Sequence, residues 1–209
     1  MSDANRVNEV PHYLDATAGV LKTISQKFSS AADGFEEFHV RGSALRHMGV
    51  SVFCMADQFE MAARAFRNEM PNAARGNFIL ISSLLSGCAF QLKHFGLSLK
   101  SDHHHMVPTC GAHNQRSPTA ESGFLWEGIS NLLSRVATIF DEKEAGLGTE
   151  LKQFSVDLKQ FADAIADYRG AMEVSEFALA AEHLDTASNR LAVAAKSCEI
   201  CAYSAKSFS

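Results

Sequence analysis

From Leu21 onward, apolar or small residues recur in alternating steps of three and four: Leu21, Ile24, Phe28, Ala31, Phe35, Phe38, Gly42, Leu45, Gly49, Val52, Ala56, Phe59, Ala63 and Phe66. No charged residue enters the series. A 3.5-residue period keeps one edge of a helix against a partner helix, so the chain is committed to α-helix and to helix-on-helix burial. Unbroken, this seam predicts a rod of roughly 70 Å at ~1.5 Å per residue. Gly34, Gly42 and Gly49 each cost about 1 kcal/mol in a helix interior and mark either close helix contact or a break.

A second seam runs through Leu133, Ala137, Phe140, Glu144, Leu147, Leu151, Phe154, Leu158, Phe161, Ile165, Tyr168 and Met172. Glu144 is its one charged member, and with Gly146 and Gly148 it marks a kink. From Phe177 the chain continues as helix with a thinner stripe through Leu184 and Leu191, and its last residues, 204–209, fray. Between the seams lies a stretch of another character, about 70–128, with an apolar run Phe78 to Phe90 and then an aperiodic loop from Ser101 to Ser122 that holds His103, His104, His105, Pro108, Gly111 and Pro118. The expected organisation is a flexible start at 1–14, one long helix over 15–69, the atypical stretch at 70–128 and a second helical region at 129–203. The fold class is all-α, with long antiparallel helices in a coiled-coil or helical bundle and an irregular central loop.

The chain has 46% hydrophobic and 21% charged residues, a globular balance, and a formal net charge of −5 that disfavours nucleic-acid binding through bulk charge. Residues 1–13 lack the apolar core of a secretory signal, which predicts a cytoplasmic location and five reduced cysteines. The apolar run of about 13 residues falls short of the ~20 a bilayer-spanning helix needs.

Candidate chemistry is sparse. Cys110 with His113 and Cys198 with Cys201 supply the donor types of a Cys3His zinc site, but one pair falls in a loop and the other in a helix, so buried thiols are the better account and no metal is assigned. Asp102 and the histidine triplet read as a solvated loop, and Glu36 and Glu37 as a solvated helix face. Phosphate-loop, zinc-protease and serine-hydrolase signatures do not occur, so no catalytic residue, enzyme activity or cofactor is expected. Phe28, Phe35, Phe38, Phe154 and Phe161 sit at seam spacing, as core rather than as a ligand box.

Two blocks resemble the first part of the BAR domain in the Chibby-interacting BAR-domain family. One is Lys27-Phe28, Phe35, Phe38, Arg41 and Leu45-Arg46. The other is Glu142, Ala145, Thr149-Glu150, Leu158, Phe161-Ala162-Asp163 and Ala166, with Asp167-Tyr168-Arg169 three residues early. In the family the blocks lie close together, so residues 47–133 read as an insertion. The resemblance implies a protein that dimerises, or pairs with a related BAR protein, through the seam residues Phe28, Phe35, Phe38, Leu45, Phe154, Leu158, Phe161 and Ile165. It implies binding and shaping of membranes, with Lys27, Arg41, Arg46, Lys152 and Lys159 as contacts to anionic lipid. It also implies work in cilium assembly at the basal body with a Chibby-like partner, and mitochondrial membranes as another location. From Asp141 to Arg190, however, eleven acidic residues face five basic ones, which favours a solvated helix surface there. The alternative is a helical adaptor or scaffold that binds a partner helix without membrane activity.

Overall fold

The structure is a computed structural model that describes residues 8–33, 40–68, 70–102, 118–141, 145–174 and 176–204. Among these residues there are six helices: α1 (Val10–Ala32), α2 (Val40–Arg67), α3 (Pro71–Asp102), α4 (Pro118–Asp141), α5 (Ala145–Glu173) and α6 (Phe177–Ser204). Proline sets three of the starts. Pro11 lies in the first turn of α1, and Pro71 and Pro118 open α3 and α4, where a missing N–H costs no helical hydrogen bond.

The long first rod is not formed. Helix α1 stops at Ala32, Asp33 caps it with its N–H on the Ser29 carbonyl, and α2 folds back so that Gly49 lies beside Ser25, Phe28 and Ser29. The apolar series runs through both helices because both face the same core, and not because one helix carries it. The second seam is likewise divided between α4 and α5, and α6 is a separate helix from Phe177. Of the expected 101–122 loop, residues 101–102 are helical at the end of α3 and 118–122 at the start of α4, and the rest lies outside the described residues. Phe35, Phe38, Glu36, Glu37, Glu144, His103 to His105, Cys110 and His113 lie outside the described residues.

Each helix packs against two others, in the closed order α1, α2, α3, α6, α5, α4 and back to α1. That order is symmetric: α1 meets α4 and α3 meets α6, so helices one to three and helices four to six follow the same contact pattern, like two copies of one three-helix unit. Local detail repeats in register. Ser25 Oγ donates to the Gly49 carbonyl at 2.8 Å, and Ser130 Oγ donates to the Ser155 carbonyl at 2.7 Å. Met70 N–H closes the end of α2 on the Ala65 carbonyl, and Glu176 N–H closes the end of α5 on the Ala171 carbonyl, both at 2.9 Å. Buried positions also coincide: Ile24 with Ile129, Leu45 with Leu151, Val52 with Leu158, Ser82 with Ser188, Leu85 with Leu191 and Ala89 with Ala195.

Residues 47–133 therefore contribute most of α2, all of α3 and much of α4 to the ring. They are integral to it, and not an appendage. Helix α3 also corrects the reading of its apolar run: Ala73–Lys100 is long and apolar enough to cross a membrane by length and composition, with a mean hydropathy of 1.3 over its most apolar 18-residue window. Its apolar content is explained in part by packing on both α2 and α6. Ser188 Oγ donates to the Ala89 carbonyl and Cys198 Sγ to the Phe78 carbonyl, and the falling partner numbers make the two helices antiparallel.

The paired serine bonds give a direct test of the repeat. Ser25→Ala and Ser130→Ala should each lower stability by about 1 kcal/mol, the usual net worth of a buried hydrogen bond. The double variant should lose the sum, because the sites share no partner. Urea unfolding of the three variants measures this, and a loss confined to one half would contradict the equivalence.

Candidate interaction surface

The interior leaves little room for a ligand. All six helices contribute to one gap near the axis, lined by Phe28, Val52, Leu92, Trp126, Phe161 and Leu191 among others, with a volume of about 10 Å³. That is the size of one water. Trp126 stacks edge-on to Phe161 with ring centroids 5.2 Å apart, and Tyr168 and Phe154 are among the largest fully buried side chains. Among the described residues no group of three or more His, Cys, Asp or Glu is placed to hold a metal ion.

The C-x-x-C pair sits inside α6. Cys198 and Cys201 are both fully buried, in an apolar environment. Burial raises the Cys198 thiol well above its ordinary pKa and pushes Cys201 up to about 12. Burial likewise pushes Cys88 up to about 12, with its bond to Ser51 opposing. Cys54 is half-buried.

The basic residues singled out in the sequence do not gather on one face. Arg46 Nη2 donates to the Ala32 carbonyl at 3.3 Å, a cation placed on the C-terminal end of α1. Arg41 is half-buried, and desolvation lowers its pKa, with Tyr168 opposing. Lys159 reaches Glu127 on α4 at 3.2 Å and Asp163 at 3.3 Å, and its bond to Glu127, then that to Asp163, raises its pKa. Lys152 is exposed on α5, and Lys27 is half-buried on α1. The seam residues Phe28, Leu45, Phe154, Leu158, Phe161 and Ile165 are at most 4% exposed within the single chain. Their apolar edges are covered without a second copy.

What the ring does leave open is the outer side of α3. Gly76, Leu80, Ser83, Gly87, Phe90, His94 and Leu97 recur at steps of three and four and are all exposed. Leu80, Phe90 and Leu97 keep 51%, 60% and 52% of their surface in solvent, and on the neighbouring α2 Val50 and Met61 are open as well. The second copy shows what solvent ordinarily asks of this surface. Met61, Met70, Gly76, Ser83 and Phe90 are matched by Asp167, Glu176, Glu182, Asn189 and Lys196, all exposed. The equivalent face of α6 is mixed, since the exposed Val193, Ile200 and Tyr203 stand where α3 has Gly87, His94 and Leu97. The sequence identifies the Phe78–Phe90 run, but the run mixes the buried and exposed sides of α3, which the packing on α2 and α6 separates.

No family model, no curated protein and no solved structure matches the chain.

The cysteines provide a test of the packing. Thiolate is the reactive form, so with Cys110→Ser to remove the thiol outside the described residues, alkylation of the native protein at pH 8 should modify Cys54 and leave Cys88, Cys198 and Cys201 unmodified until denaturant is added. The same shifts fix a sign. The unfolded thiols ionise near 9.0 and the folded ones at Cys88 and Cys201 near 12, so this contribution to stability is complete below about pH 9 and is lost as pH rises toward 12. Mass mapping of the modified sites checks the first, and urea midpoints across that range check the second.

Proposed function

We propose that this chain is a non-enzymatic helical scaffold that binds a partner helix along the outer face of α3. The observation that carries this reading is the stripe on α3 that holds no Asp, Glu, Lys or Arg and leaves Leu80, Phe90 and Leu97 more than half exposed. Exposed single apolar residues are ordinary; an uncharged stripe with three large apolar side chains along about six turns of one helix is the kind of surface that marks an interface. Helix-in-groove recognition reads anchors at i, i+3, i+4 and i+7, which is the spacing present here.

The resemblance to the Chibby-interacting BAR-domain family supports a second reading, membrane binding at the ciliary base. Arg46 and Lys159, two of its candidate lipid contacts, are held by the end of α1 and by carboxylates, which weighs toward the adaptor. The two readings separate on salt. An apolar helix-in-groove complex should persist from about 0.1 to 0.5 M salt, where the Debye length falls below ~8 Å and attraction of basic patches to lipid weakens.

Proximity labelling in the source cells, comparing the natural chain with Leu80→Glu/Phe90→Glu, tests the proposal. The variant should keep its circular dichroism and melting temperature within a few degrees, because both residues face solvent, and should lose the neighbours enriched around the natural protein. An unchanged set of neighbours around the folded variant would contradict it.

A further inference from the structure

We infer that the occupant of the α3 face is an amphipathic helix with an acidic edge, docked so that this edge lies along the α6 side of α3. This rests on the preceding reading and adds the chemistry of the partner. Between Pro71 and Lys100 the chain has three cations, Arg75, Lys93 and Lys100, and no Asp or Glu, within a protein of net charge −5. Arg75 and Lys93 are separated by about five helical turns and Lys100 by about two more, so the three share one edge. Arg75 shows which edge, since its guanidinium lies 5.3 Å from the centre of the Tyr203 ring of α6. Lys93 and Lys100 are exposed and meet no carboxylate among the described residues.

The glycines argue for a helix over a lipid surface. A Cβ added at Gly76 or Gly87 would meet nothing within 4 Å, so neither glycine is needed for packing inside the chain. Each nevertheless costs about 1 kcal/mol relative to alanine in a helix interior. Gly19, Gly128 and Gly170 are equally open, but those of α3 share one stripe with three exposed large apolar side chains. Together with Ser83 they make notches between Leu80, Phe90 and Leu97. Such notches let another helix approach closely and interdigitate, whereas acyl chains conform to any relief and gain little from them. A second copy of this chain would set cation against cation along its cationic edge, so an acidic partner fits where self-association does not.

The test displays a library of amphipathic helices, with Leu fixed at the stripe positions and both flanking edges randomised, against the immobilised full-length protein and against its Leu80→Glu/Phe90→Glu form. Selection should enrich Asp and Glu on one edge, only with the natural chain. Lys93→Glu/Lys100→Glu should weaken the selected peptides at least tenfold and shift a fresh selection toward Lys and Arg. Binders without an acidic bias would overturn the inference and leave the docking face standing. Failure to enrich any binder over the double-Glu form would overturn both. Flotation with vesicles of phosphatidylcholine and phosphatidylserine, or dimerisation in sedimentation, would overturn it in favour of lipid or a second copy if Phe90→Glu abolished either.

Discussion

The structure depends on one constraint: each helix carries an apolar stripe that must be covered along its whole length, and water does not cover it. A free helix of this length is marginal, so tertiary burial of the stripe is what holds it. Closing six helices into a ring satisfies all of them within a single chain, because every helix then has a neighbour on both sides of its stripe. The ends of α1 at Ala32 and of α4 at Asp141 make this arrangement reachable. They convert seams that would need an equally long external partner into hairpins that cover themselves.

The ring also sets what the surface can do. With the gap shared by the six helices no larger than about one water molecule, the outer surface is the better place for interaction chemistry. The repeat then supplies an internal comparison. At matched positions the two copies share their buried residues, as Leu45 with Leu151 and Leu85 with Leu191, because both solve the same packing problem. Outside they diverge, as Phe53 with Lys159 and Phe90 with Lys196, because solvent imposes no register and each face answers to whatever it meets.

The all-α class was legible in the periodicity, and the seam positions Phe28, Leu45, Phe154 and Phe161 are indeed buried. The breaks were not legible, because a 3.5-residue step continues across a hairpin when the last turn of one helix and the first turn of the next face the same core. The repeat was hidden because its conserved element is hydrophobic volume at a spacing, with few repeated letters: Ile24-Ser25 against Ile129-Ser130, Leu45-Arg46 against Leu151-Lys152, Ala56-Asp57 against Ala162-Asp163. The partners of the basic candidates were not legible for a different reason. Spacing along a helix does not reveal that the end of α1 or Glu127 will occupy the cation.

Small-angle X-ray scattering with an absolute mass is the most direct measurement of the closed ring. A single chain covering its own seams should scatter with the mass of one 22.7 kDa chain and a radius of gyration of about 17 Å. Twice that mass, with a distance distribution extending well beyond ~70 Å, would mean that the helices run on as rods and cover one another between chains.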